Sequence, residues 1–198
     1  MSHYFTNDKL VSNEKEIKVN VRGKNYTFIT DNGVFSKKGL DFGTRTLLES
    51  LPDIKGDVLD LGCGYGPIGI VLANTCNVDM VDINKRSLAL TVKNAKLNNR
   101  KVNAFVSNVY ENITKKYDYI ITNPPIRAGQ KILYEFLFEA VNYLNDNGEL
   151  WLVIHKNQGA KTLFKHLKEI YDATIVNKNK GFYIIMCKKH WQVARKRL

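Results

Sequence analysis

Apolar and polar residues alternate along 16–21 and again along 25–30, on either side of Arg22-Gly23-Lys24. That period-two rhythm around a glycine turn predicts a β-hairpin, an extension over residues 1–32 ahead of the main fold. Asp41 to Leu51 reads as a helix that Pro52 ends. Beyond Pro52 short apolar runs predict strands at Val58 to Leu61, Val78 to Val81, Val102 to Val106 and Tyr119 to Thr122, with helical spacing at Ile68 to Ala73 and Lys85 to Leu97. A further helix is expected over Lys131 to Leu144, with Ile132, Leu133, Phe136, Leu137, Ala140, Val141 and Leu144 on one face and a stop at Asn145-Asp146-Asn147-Gly148. Leu150 to Ile154 follows as a strand and Ala160 to Tyr171 as a helix. Ala173 to Val176 and Phe182 to Cys187 then pair around Asn177 to Gly181. Strands that alternate with helices build a parallel sheet, and nearly continuous apolar strands are buried on both faces. The expected fold is therefore α/β and Rossmann-like: one domain over 1–198 with a mostly parallel seven-stranded sheet, a closing antiparallel hairpin and a basic tail over 188–198.

Charge narrows the partner. The 198 residues hold 30 Lys and Arg against 19 Asp and Glu, a net charge of +11, which favours a polyanion such as nucleic acid over a merely solvated basic surface. Cys63, Cys76 and Cys187 fit neither a disulfide framework nor a zinc set, which suggests a reducing compartment. His3, His155, His166 and His190 lack metal-ligand spacing, so no metal is expected. The first residues lack an apolar core and no apolar run spans a bilayer, so a soluble, cytoplasmic protein without a membrane partner is the expectation.

Gly62-Cys63-Gly64-Tyr65-Gly66-Pro67-Ile68-Gly69 follows a strand and opens a helix, a place where bare backbone lets a ligand approach the carboxyl edge of a sheet. Gly64, Gly66 and Gly69 also match the dinucleotide fingerprint, with Asp82 at the end of the second strand where a ribose acid belongs, so a nicotinamide oxidoreductase stays open on this motif alone. Asp60 tips the balance: a carboxylate two residues before the first glycine repels a pyrophosphate and attracts the ammonium and sulfonium of S-adenosylmethionine. Asn108, after the third strand, is placed to bond an adenine edge. The competing structural role for Asp60 and Asp82 is helix capping. Cys63 and Tyr65 read as turn residues.

Asn123-Pro124-Pro125 ends a buried strand with two residues that cannot continue a ladder. The expectation is that Asn123 and the unpaired Pro124 carbonyl form an acceptor pair facing a cleft, a cradle for the two N–H groups of an exocyclic amine. Methyl transfer to that nitrogen then relies on orientation, which recovers on the order of 7–11 kcal/mol. Asn123 and Pro124 are the catalytic candidates.

Gly33-Val34-Phe35-Ser36, Gly39-Leu40-Asp41-x-Gly43-Thr44, Leu59 to Gly66, Asn123-Pro124-Pro125-Ile126-Arg127-x-Gly129 and Gly148-Glu149-Leu150 together resemble the class I methyltransferases, and more closely the small-subunit ribosomal RNA guanine methyltransferases of the RsmC type. The resemblance implies methyl transfer from S-adenosylmethionine to the 2-amino group of a guanine in 16S rRNA or the small ribosomal subunit. Asp60, Gly62, Gly64, Gly66, Asp82 and Asn108 would surround the cofactor, and Asn123, Pro124, Pro125 and Ile126 would meet the base, with Phe35 a wall of its pocket. Ile126 stands where many relatives of the wider class carry an aromatic residue, which disfavours adenine and glutamine substrates. The chain lacks the second, degenerate half of the two-domain members, so RNA capture falls to its own surface, with Arg127, Lys131, Lys37 and Lys38 as phosphate contacts and His155 and Lys156 on the ligand edge. A non-catalytic RNA-binding module is the reading from another class.

Overall fold

The computed structural model describes residues 11–33 and 39–189. Phe35, Lys37, Lys38 and the basic stretch 190–198 lie outside the described residues. β1 (Lys15–Val21) and β2 (Lys24–Thr30) form the antiparallel hairpin, turning at Arg22-Gly23. α1 (Phe42–Ser50), β3 (Asp57–Leu61), α2 (Pro67–Leu72), β4 (Asn77–Asp82), α3 (Lys85–Leu97) and β5 (Asn103–Val106) follow in strict alternation. Then come β6 (Tyr117–Thr122), α4 (Gln130–Phe138), α5 (Ala140–Tyr143), β7 (Leu144–His155), α6 (Ala160–Leu167), β8 (Tyr171–Asn179) and β9 (Phe182–Lys189).

The main sheet has seven strands in the order β5-β4-β3-β6-β7-β9-β8, with β3 to β7 parallel and β9 antiparallel to both neighbours. Leu59, Ile120, Leu152 and Ile185 have no exposure, as strands covered on both faces require. One apolar cluster joins α1, α2, α3 and the hairpin to the sheet through Leu47, Ile70, Met80 and Phe28. The other joins α4, α5 and α6 through Leu137, Ala140 and Leu167.

The hairpin is docked by amides instead of a ladder. Asn94 on α3 and Asn98, which caps its C-terminus one turn later, each pair with a peptide of β2: Ile29 N–H donates to Asn94 Oδ1 at 2.7 Å and Asn94 Nδ2 donates to Ile29 O at 2.9 Å. Asn98 repeats the exchange with Thr27 at 3.0 and 2.7 Å. The outer edge of β2 is thereby satisfied by side chains, which closes it to another strand. Beside it Asp31 receives the Arg86 guanidinium at 2.6 Å, with further hydrogen bonds from Ser12 and the Asn13 and Asn32 amides.

Three expected boundaries move. The helix over Lys131 to Leu144 breaks at Glu139, because Tyr110 Oη donates to Phe136 O and Tyr171 Oη to Leu137 O, both at 2.7 Å, taking carbonyls that an unbroken helix would offer to residues 140 and 141. Asn145 to Gly148 does not separate helix from strand but lies inside β7 as an irregularity: Tyr117 pairs with Leu144 while Tyr119 pairs with Glu149. α6 ends at Leu167, four residues early, and Tyr171 already belongs to β8. No helix of the described residues is long and apolar enough to cross a membrane.

Candidate functional site

Chain order runs β3, β4, β5 toward one edge and then returns to place β6 on the far side of β3. That reversal opens a crevice at the carboxyl ends of the strands, the usual ligand position in such sheets. A cleft of about 500 Å³, including its open mouth, occupies it, lined by Leu61 and Gly62 at the end of β3, Asp82 and Ile83 at the end of β4, Ser107, Asn108 and Val109 after β5, Asn123 and Pro125 after β6, and Ile132 and Phe136 from α4. Val109 holds φ at +51°, a costly conformation for a β-branched residue, and Ser107 Oγ fixes it by donating to its carbonyl at 2.9 Å.

Asp82 organises the glycine turn. Its Oδ2 accepts the Gly64 amide at 2.9 Å and its Oδ1 the Asn84 amide at 2.8 Å. Burial raises its pKa against these hydrogen bonds. Gly64 sits at φ +58° with open space where a side chain would be, whereas a methyl on Gly66 or Gly69 would strike Met80 at 3.2 or 2.6 Å. The glycines therefore divide: Gly64 leaves room in front, and Gly66 and Gly69 allow α2 to close onto β4.

Asp60 lies beneath this turn with no exposure, away from the cleft lining, and its Oδ2 accepts the Gly69 amide at 2.8 Å. It thus supplies the cap that Gly66, which has no side chain, cannot give α2. Among the described residues its Oδ1 has no hydrogen-bond partner, and neither has the hydroxyl of buried Tyr65. Burial, with the Asp82 charge adding to it against the Gly69 amide, pushes Asp60 up to about 7.

Asn123 is oriented from α1. Its Nδ2 donates to Thr44 Oγ1 at 2.9 Å and to Asp41 Oδ2 at 3.2 Å, while Asp41 caps α1 through the Thr44 amide at 2.9 Å. An ionised carboxylate only accepts, so the amide nitrogen must face Asp41 and the carbonyl oxygen must face away from it. The neighbouring carbonyl differs from expectation. Pro124 O already accepts the Ile126 amide at 2.9 Å, because Pro125 at φ −76°, ψ 79° makes an inverse γ-turn, so one lone pair remains instead of a free carbonyl. Pro124 itself is buried, and Asn123 and Pro125 form that wall of the cleft.

A family model described as the methyltransferase small domain matches residues 25–186. The chain belongs to that family. It is 41% identical over 197 residues to Uncharacterized protein YbxB of Bacillus subtilis, an alignment covering 94% of this chain and 98% of that one. Ribosomal RNA small subunit methyltransferase C of Aliivibrio fischeri is 41% identical over 128 residues, 61% of this chain and 38% of the relative. The solved T. thermophilus 16S rRNA N2 G1207 methyltransferase (RsmC), in complex with AdoMet and guanosine, superposes with a TM-score of 0.81 at 27% identity, covering 89% of this chain and 51% of that one. This chain thus spans about two fifths to one half the length of these rRNA methyltransferases.

Membership in the methyltransferase small-domain family makes S-adenosylmethionine the methyl donor. The cleft fits it: Asp82 suits a ribose diol, Ile83, Val109 and Ile132 offer apolar walls, and the Asp60 carboxyl buried beneath the turn, one of its oxygens without a partner among the described residues, places a group that suits a cation behind that wall. Asn108 is exposed at the rim. Arg127 and Lys131 are exposed beyond the mouth, Lys131 lying 4.0 Å from Glu135, and Ile126 packs toward the α4 core cluster. Cys63 is buried against Thr91, and burial raises its thiol far above the usual range, which disarms it as a nucleophile. Asp41 and Thr44 had no assigned role in the sequence. Asp41-x-x-Thr44 carries a helix-start signal, but nothing in the spacing reveals a partner 82 residues away.

Proposed function

We propose that this protein transfers a methyl group from S-adenosylmethionine to the exocyclic 2-amino group of a guanine in 16S ribosomal RNA. The observation that carries the reading is the Asn123 amide, held by Asp41 and Thr44 with its oxygen turned from α1, on the wall of a cleft whose other walls bear Asp82 and Asn108. When bound, S-adenosylmethionine supplies an electrophilic methyl on a sulfonium. Asp82 and Asn108 would hold the nucleoside part, and ionised Asp60 below the turn would favour the cationic part. Asn123 Oδ1 and the remaining lone pair of Pro124 O accept the two amino N–H groups, which draws the nitrogen lone pair out of conjugation and toward the methyl. Transfer would form the nitrogen–methyl bond as the carbon–sulfur bond breaks and would release the surplus proton on nitrogen to water, so orientation by Asn123 and Pro124, and no strong base, is what these residues would contribute. A base inside a duplex cannot reach this cleft, so the guanine is taken unpaired or flipped. The net charge of +11 and the likeness to the T. thermophilus guanine N2 enzyme support an RNA substrate.

Labelled S-adenosylmethionine offered with small ribosomal subunits, stripped 16S rRNA and ribosomal protein tests the reading. Label is expected in rRNA, on guanine N2 after digestion to nucleosides. Label in protein or in adenine alone would replace the guanine assignment with a glutamine or adenine one.

A further inference from the structure

The turn between β8 and β9 lies at the carboxyl edge of the sheet, because Phe182, the first residue of antiparallel β9, pairs with His155, the last residue of β7. There three rings meet. Phe182 lies 5.7 Å from Phe42 and 4.9 Å from His155, and each of the three keeps part of its surface open. The cluster adjoins the reactive amide: a methyl on Gly43 would stand 2.9 Å from the Phe182 ring and 3.0 Å from Asp41 Oδ2, and that same Asp41 oxygen holds Asn123.

The turn itself is clamped. Gly181 at φ +84° packs close to Nε2 of the His155 imidazole, where a methyl would fall 2.6 Å away, and its carbonyl accepts the Lys156 amide at 2.7 Å. Lysines surround the hairpin tip: Lys180 Nζ stands 5.0 Å over the Phe42 ring of the cluster, Lys178 Nζ stands 4.9 Å over Tyr183 on the other face of β9, and Lys156 leaves the end of β7. All three lysines are exposed, and among the described residues none of them makes an ion pair with a carboxylate. Exposed cations without anions, interleaved with open aromatic faces, are the arrangement that single-stranded nucleic acid requires: rings stack bases and ammonium groups take phosphates.

We propose that Phe42, His155 and Phe182, with Lys156, Lys178 and Lys180, form the grip for the single-stranded RNA that flanks the target base. The proposal rests on the RNA reading of the site and adds the surface that this chain uses. A base next to the target stacks at Phe182, and its phosphates run along the hairpin tip.

Anisotropy of a labelled, unstructured, guanine-containing oligoribonucleotide, titrated at several salt concentrations, tests the grip separately from methyl transfer. The double variant Lys178→Ala/Lys180→Ala is expected to bind more weakly and to reduce the slope of log affinity against log salt by roughly 0.7 per lost phosphate contact. Phe182→Leu keeps apolar volume but removes the stacking face; it should weaken binding roughly 5- to 100-fold with the salt slope unchanged. Lys55→Ala/Lys101→Ala, exposed positions at the opposite edge, serves as the control and should bind as wild type does. Affinity for S-adenosylhomocysteine, equal in all variants, shows that the fold is kept. If the hairpin variants match the control while wild type still labels rRNA, the grip is wrong and the RNA reading stands. If wild type neither binds the oligonucleotide nor labels rRNA, both fall together.

Discussion

Asn123 owes its orientation to Asp41, a residue whose local task is to cap α1. The two tasks can be separated, because Asn caps a helix as well as Asp does but can both donate and accept. Asp41→Asn should therefore leave the melting temperature and donor affinity nearly unchanged while methyl transfer slows by roughly 10- to 100-fold, the scale of a misaligned reacting group. Steady-state kinetics beside calorimetry would show the split, and a matching loss of donor affinity would refute the orienting role. Asn123→Ala should abolish most turnover with donor binding retained. Asp60 offers a titration. At about 7 it is partly protonated at neutral pH, and a bound cation favours its ionised form, so donor affinity should climb as pH rises through that value. Calorimetry across neutral pH on wild type and Asp60→Asn checks this, the variant being expected to give a flat profile.

Elements followed the apolar rhythm wherever burial alone decided them. α3 begins and ends where its spacing predicts, and β3 to β6 fall on the short apolar runs. The rhythm misleads where a side chain from elsewhere competes for backbone. α4 and α5 share one apolar face and read as a single helix, yet the hydroxyls of Tyr110 and Tyr171 take the carbonyls at the break. Tyr110→Phe and Tyr171→Phe each leave a buried carbonyl without that donor and should cost about 1–3 kcal/mol, measurable by denaturant unfolding. The β2 edge depends in the same way on α3. Asn94 also donates to the Tyr65 carbonyl at 2.9 Å, so one amide joins the hairpin to the glycine turn. Asn94→Ala should destabilise by more than either tyrosine variant and should speed hydrogen exchange at Ile29, since it strands three backbone groups at once. Of the site itself, the glycine turn and the Asn-Pro-Pro turn were legible because backbone chemistry writes them into consecutive residues. The Asp41 contact and the aromatic cluster at β9 were not, because each joins segments far apart in the chain.

Across the whole molecule two carboxylates pull stability in opposite directions as pH changes. Burial works against Asp31 ionisation, but hydrogen bonds from Asn13, Arg86, Ser12 and Asn32 outweigh it and hold this group well below the usual carboxylate range. Its contribution is present above about pH 4 and is lost as pH falls below that. Asp60 runs the other way: its raised value means that its contribution is present below about pH 4 and is lost as pH rises toward about 7. Thermal melts of the donor-free protein should show Asp31→Asn flattening the acid limb and Asp60→Asn flattening the decline toward neutrality. The proline that follows Asn123 bears on how this molecule ages. Deamidation of asparagine runs through a ring closed by the next residue's backbone nitrogen, and proline has no N–H to give up. Exposed Asn147, followed by Gly148 in the β7 irregularity, has no such protection. Old protein should therefore carry aspartate and isoaspartate at position 147 while the Asn123 amide persists, so charge gathers at the periphery before the wall of the cleft is altered.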